Sequence, residues 1–183
     1  LADGEKPVEV QRGLAGEPED EHARYLEADV FGVRVVCIYL PNGNPQPGPK
    51  FDYKLRWMDR LRTRMGQIWA EEVPAAVLGD FNVIPTDKDV WDIRAMATDA
   101  LMQPESRDAY QRLLADGWTD ALGLHHPQGG LWTFWDYQAG AWQRDNGIRI
   151  DHIMLSPQAA DRLVDAGVDK HVRGWDKASD HVP

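Results

Sequence analysis

From Tyr53 to Glu72, apolar side chains return at Leu55, Met58, Leu61, Met65, Ile68 and Trp69. Intervals of three and four residues put them on one face of a helix. Pro74 ends that pattern, because its ring cannot continue a helix, and the apolar run Ala75–Leu78 reads as a buried strand. Two earlier stretches, ARYLEADV and VRVVCIYL, flank Phe31-Gly32 and read as a hairpin. Between hairpin and helix lies PNGNPQPGPK, residues 41–50, whose four prolines make it a loop. It is long for a connector, and loops of this kind often carry function. Strands alternating with helices define an α/β protein. The hairpin within residues 22–39 makes its sheet mixed, not wholly parallel.

The rest of the chain is less regular. Residues 5–13 read as extended, Glu17–Glu21 as an acidic turn, and 87–105 as irregular. A helix is expected from Glu105 to Ala115, closed by Gly117, and another from Pro157 to Ala166, stopped by Gly167. LWTFWDY and GIRIDHIMLS are β-prone, and VDKHVR is a short strand candidate. The 183 residues suit one domain, and 43% hydrophobic content suffices for a sizeable core. No run is apolar for long enough to span a membrane, no signal-peptide pattern is visible, and no membrane partner is expected. Cys37 is the sole cysteine and lies inside an apolar strand, so a buried thiol is expected. That suits a reducing, cytoplasmic setting. The net charge of −10 argues against holding a polyanion by bulk charge, but not against local phosphate binding. Lys54, Arg56, Arg60, Arg62 and Arg64, set against Asp59 alone, read as a solvated helix face.

Polar groups recur where apolar strands end. In the stretch AAVLGDFNVIPT, Gly79 interrupts the strand and Asp80 and Asn82 follow, two residues apart and so on the same side of an extended chain. Tyr39 ends the second hairpin strand, Asp151 lies within IRIDHI, and Asp180-His181 comes at the end of the sequence. Each has a bland alternative. Asp80 and Asn82 could cap their own turn. Tyr39 could edge the core, Asp151 could pair with Arg149, and Asp180-His181 could form a turn. Together they suit metal-assisted cleavage of a phosphate ester, which needs oxygen ligands, a positioned water, a base and donors to phosphoryl oxygens.

The motifs YLPNG, GDFNVIPTDKDV, TFWDY, GIRIDHIMLS and SDHVP resemble, in order and spacing, those of the exonuclease III family of AP endonucleases in the endonuclease/exonuclease/phosphatase superfamily. The resemblance runs from about residue 5 to the end. It implies a two-sheet α/β sandwich with mixed sheets flanked by helices, and a Mg²⁺- or Mn²⁺-dependent DNA repair nuclease, acting as a monomer on double-stranded DNA. Such an enzyme cuts 5′ to abasic sites and trims 3′ ends, including 3′ phosphates. By position, Asp80 would orient and deprotonate water, and Asn82 would support that water and the polar network. His181 would contact the scissile phosphate, and Asp151 would orient its imidazole. Tyr39 would donate to the phosphate or leaving oxygen. Asp180, with Asp80 and Asn82, would hold the metal. Asn42 would bind a backbone phosphate, and Phe134 and Ile148 would wall a pocket for an extrahelical abasic sugar, with Trp132 and Trp135 equally suited to plain core packing.

One departure stands out. The family's early asparagine and metal-ligating glutamate have no match in LADGEKPVEVQRGL. The resemblance therefore implies that residues 1–183 are a single catalytic domain fragment lacking the N-terminal strands and the final C-terminal strand. Such a fragment would have an incomplete metal site and leave Val35, Cys37, Val77 and Met154 short of partners. Glu27 is the first alternative ligand. A phosphoesterase acting on a lipid or inositol phosphate, or a non-catalytic fragment, are the competing readings.

Overall fold

The computed structural model of the chain describes Gly4 and residues 6–183. Glu5, which opens the expected N-terminal extended stretch, lies outside the described residues. Strands β1 (Val8–Arg12), β2 (Tyr25–Val30), β3 (Val33–Tyr39), β4 (Ala75–Asp80), β5 (Thr119–Asp120) and β6 (Asp151–Leu155) form one sheet in the order β1-β2-β3-β4-β6-β5. Only β3 and β4 run parallel, so the sheet is mixed, as the hairpin implied. A parallel neighbour needs a crossover, which helix α1 (Pro49–Ala70) supplies. Pro49 starts that helix at the position where its missing N–H costs nothing.

Alternation along the strands sorts the two faces. Val36, Ile38, Val77 and Met154 point at α1 and are buried against Trp57, Leu61, Met65 and Ile68. Helix α3 (Pro104–Ala115) adds Ala109, Tyr110 and Leu113 to this core. Each fully buried Leu, Ile or Met contributes about 1.5–3 kcal/mol relative to an exposed one. Val77 and Met154 are therefore not short of partners. The opposite face carries a row in register across four strands: Leu26, Cys37, Leu78 and Ile153. Cys37 is exposed there, not buried, because it sits between Val36 and Ile38, which both face the helices. Val35 shares that open face, where it is half-buried.

Beside the sheet, Phe134 pairs by its backbone with both Ile148 and His181, and Ile148 also pairs with Val90. LWTFWDY is thus irregular chain joined to the sheet's neighbours at one residue, and the strand in GIRIDHIMLS begins only at Asp151. The helix expected to reach Ala166 stops early as α5 (Pro157–Ala160), which follows the short α2 (Ile93–Met96) and α4 (Ala121–His125). Beyond it there is no apolar stripe to bury, and Val164 is 90% exposed. VDKHVR is not a strand, because Lys170–Gly174 forms a 3-10 turn.

The basic stretch on α1 is a solvated face only at Arg56 and Arg62. Lys54 is fully buried, Arg60 bonds Asp20 and Glu17, and Arg64 bonds Glu27. Glu27 is itself buried among Arg64, Arg34 and Tyr25, so it is committed to this cluster rather than free as a ligand.

A second buried cluster ties the chain after β4 to the chain before β6. Arg149 donates from Nε to Asp89 at 2.7 Å and from Nη1 to Asp120 at 2.8 Å. Tyr110 also donates to Asp120, and Asp89 closes the turn at Thr86. Arg149 is thus spent here and does not pair with Asp151. Removing one partner of a buried ionic cluster leaves uncompensated charge, which typically costs about 3–5 kcal/mol. Arg149→Met should lower the unfolding free energy by about that much in urea, more than Leu61→Val, with little change in the denaturant slope.

Candidate active site

The register of three adjacent strands sets the site. Tyr39 stands opposite Asp80 across the β3–β4 pair, and Asp80 stands opposite Asp151 across β4–β6. The three residues close one end of the sheet, at the tips of its interior strands. Gly79 makes the approach possible: it has φ +131°, and a Cβ there would lie 2.1 Å from the Ile38 carbonyl oxygen. Beyond Asp80 the chain turns sharply, with Asn82 in the left-handed region at φ +47°. Asparagine tolerates that region better than most residues.

Asn82 is buried at the centre of a local network. Its Nδ2 donates to the Leu40 carbonyl at 2.8 Å and to Asp80 Oδ2 at 2.9 Å. Its backbone N–H donates to Asp80 Oδ1 at 2.7 Å, and its Oδ1 accepts from Asn42 Nδ2 at 3.0 Å. The turn-capping bonds thus exist alongside the clustering, and toward water or a metal Asn82 offers only a remaining Oδ1 lone pair. Lys54 Nζ donates to the main-chain oxygens of Asn42 at 3.0 Å and Asn82 at 2.5 Å. Burial pulls its pKa down to about 7, against the pull of Asp99 and Asp80.

Opposite this group, His181 Nδ1 bonds Asp151 Oδ2 at 2.8 Å, leaving Nε2 free. The imidazole also meets the Phe134 ring edge-on, with centroids 4.9 Å apart. Thr133 Oγ1 accepts from the N–H groups of Ile150 and Asp151, so the TFW segment fixes the strand that carries the carboxylate. Burial lowers the His181 pKa, but the Asp151 bond and charge outweigh it and the net shift is upward. Asp80 is pushed up to about 7 by burial and then by the Asp151 charge. A base poised near neutral pH suits proton abstraction.

These residues open on a cleft of about 640 Å³. Tyr39, Asn42, Asp80, Asn82, Asp180 and His181 line one part of it, and Phe134, Ile148, Ile150, Trp91 and Met96 the apolar part. Asp151 stands behind His181. Trp135 is fully buried with its Nε1 bonded to Asp145, which makes it a core residue, while Trp132 is half-buried. Motif reading missed Thr133, Lys54, Trp91 and Arg144 of this neighbourhood. Lys54 alone left a signal, because it stands three residues after Phe51 and three before Trp57 in the buried stripe of α1.

Among the described residues no three Asp, Glu, His or Cys side chains come close enough to hold a metal by themselves. Among the groups that face the cleft, Asp80, Asn82 and Asp180 offer hard oxygen donors. Mg²⁺ is commonly held by one or two carboxylates with water and substrate phosphate, so this set fits a sparse shell.

Comparison with known proteins accords with this geometry. The sequence profile described as "Endonuclease/Exonuclease/phosphatase family" matches residues 6–181. Exodeoxyribonuclease III of Haemophilus influenzae is 30% identical over 194 residues, covering 98% of this chain and 72% of that protein. The solved 3′ phosphatase NExo from Neisseria, bound to a product DNA hairpin, superposes with a TM-score of 0.93 at 36% identity, over 97% of this chain and 69% of that one. An AP endonuclease from Archaeoglobus fulgidus gives a TM-score of 0.91 at 35% identity, with the same coverage. The chain belongs to the endonuclease/exonuclease/phosphatase family. Within it, these relatives place the chain in the exonuclease III-type AP endonuclease group.

The raised Asp80 pKa has a thermodynamic consequence. A folded carboxyl with a value near 7 binds more proton than its unfolded counterpart between about pH 4 and 7. Its stability contribution is present below that window and is lost as pH rises through it. In metal-free buffer, an NMR titration should place the Asp80 carboxyl midpoint near 7. Asp151→Asn should lower that midpoint and flatten the fall of stability across the same window. An unmoved midpoint would remove Asp151 as a cause.

Proposed function

We propose that this chain is the catalytic part of a divalent-metal-dependent DNA repair nuclease. It cuts the phosphodiester 5′ to an abasic site and removes nucleotides or phosphate from 3′ ends. The observation that carries this reading is the sheet end shared by Tyr39, Asp80 and Asp151, with His181 bonded to Asp151 beside an apolar wall of Phe134 and Ile148. A base-free sugar fits such a wall, and a nucleotide without a base is cheap to unstack.

In this reading Asp80 orients a water and accepts its proton as the water attacks phosphorus in line with the leaving 3′ oxygen. Asn82 holds Asp80 in place through two hydrogen bonds and fixes Asn42, whose amide faces a flanking phosphate. His181, oriented by Asp151, donates from Nε2 to a phosphoryl oxygen as charge develops there. Tyr39 donates to the phosphate or to the departing oxygen. Asp180, together with Asp80 and Asn82, would hold Mg²⁺ or Mn²⁺, which supplies Lewis-acid stabilisation of the phosphoryl oxygens. Double-stranded DNA is the partner, the protein works as a monomer, and the cytoplasm is its compartment.

The test is cleavage of a synthetic duplex with one abasic site, with and without Mg²⁺. Metal-dependent incision 5′ to the lesion is expected. Hydrolysis of an inositol or lipid phosphate with no action on DNA would overturn the reading. Asp80→Asn should lower the incision rate by roughly 10²–10⁴-fold, the usual cost of losing a general base. Duplex affinity should hold, because phosphate contacts carry binding. Near-parental incision by that variant would remove Asp80 as the base.

A further inference from the structure

We propose that Lys54 is a positioning residue for the cleavage site, its amine head clamping the loop that carries Asn42 to the turn that carries Asn82. The inference rests on the nuclease reading above, but its geometry stands apart from the family motifs. Lys54 has no accessible surface, and both of its hydrogen-bond acceptors are main-chain oxygens, not carboxylates. Those two carbonyls belong to the two asparagines whose side chains meet at 3.0 Å. One amine thus reaches two chain segments separated by 40 residues in sequence. Its stem is packed as tightly as its head. Gly43 has φ +94°, and a Cβ there would lie 2.7 Å from Lys54 Cδ, so the loop rests directly on the lysine chain.

A buried lysine is costly, since its charged form loses hydration and its long side chain loses rotamer freedom. A methionine would fill the same stripe of α1 without that cost. The amine is therefore hard to explain by packing on the helix, but easy to explain by what it holds. Asn42 and Asn82 have no other side-chain cation within hydrogen-bond reach among the described contacts. Without the clamp, the Asn42 loop can shift against Asn82, and with it the amide that supports Asp80. Displacements of about 1 Å in such supports cost on the order of a hundredfold in rate.

Lys54→Met in the whole protein provides the first test. Hydrogen exchange of the Asn42 and Asn82 side-chain amides, followed by NMR, should speed up by about tenfold or more, and this readout does not depend on turnover. On the abasic duplex with Mg²⁺, kcat should fall about a hundredfold while KM and duplex affinity stay within about threefold. A second route separates the amine from the bulk. In a Cys37→Ser background, Lys54→Cys is alkylated while unfolded with bromoethylamine, which rebuilds a lysine-length chain, or with bromopropane, which ends in a methyl. The amine form should recover most of kcat and the propyl form should not. Unchanged amide exchange, equal activity of the two alkylated forms, or joint loss of kcat, affinity and folded structure would each overturn the proposal. If the parent cuts no DNA, the nuclease reading fails, and amide exchange alone still decides whether Lys54 positions the two asparagines.

Discussion

Asp80 and Asp151 face each other across antiparallel strands, and the site's other groups are arranged around that repulsion. Two carboxylates held this close in a partly buried cleft resist ionising together. The structure answers unevenly. Asp151 receives the His181 imidazole, whereas Asp80 receives the backbone and amide N–H groups of Asn82. These are weaker compensation than a cation, and burial first, with the Asp151 charge second, pushes Asp80 up to about 7. Two like groups are thereby given different environments, which in the nuclease reading suits them to different tasks. That separation is how neighbouring acids come to serve as base and as orienting group.

Such a site needs rigid support, because a sub-ångström drift would let the carboxylates relax apart. The support lies in the Arg149 cluster. Asp89, Arg149 and Asp120 link the loop after β4, the segment before β6 and β5, and His152 adds a bond from its ring to the Val83 carbonyl. Burial and the nearby Arg149 hold the His152 pKa down to about 4, so this histidine is neutral and structural, unlike His181. Replacing such a cluster wholesale with apolar residues can be neutral for stability, so its presence argues for fixing one geometry over adding free energy.

The strand ends were legible because their signals are local. A Gly-Asp-x-Asn turn, an aspartate at the head of an apolar strand and a terminal Asp-His are each ambiguous alone and become specific in their shared order and spacing. The amphipathic helix was equally plain, and its boundaries moved only from Tyr53 back to Pro49 and from Glu72 back to Ala70. Partnerships across the chain were not legible. Arg149 and Asp151 share a strand face by spacing, yet Arg149 is drawn to Asp89, 60 residues away. Cys37 was misplaced because an unbroken apolar run gives no phase to decide which alternate residues face the helix. Lys54 hides among the basic residues of α1, because its charge masks its position in the periodic stripe. The helix after Pro157 failed for want of an apolar face.

The charge of the cleft bears on how a polyanion could enter it. Four aspartates line it, Asp80, Asp99, Asp136 and Asp180, against one fixed cation, Arg144, and the titratable His181. Arg144 donates to the Ala139 carbonyl, which anchors it on the rim rather than beside Asp80. With a net charge of −10 behind it, this wall repels phosphate over about a Debye length. In the nuclease reading, substrate attraction cannot come from long-range steering by these residues. It has to arise at short range, from neutral donors such as Asn42 and Tyr39, from His181 in its charged form, and from divalent charge neutralising the aspartates. Binding and chemistry would then respond to the same neutralisation. In that reading, a cleft that repels DNA until its carboxylates are compensated would also keep an unloaded site from holding a duplex it could not cut.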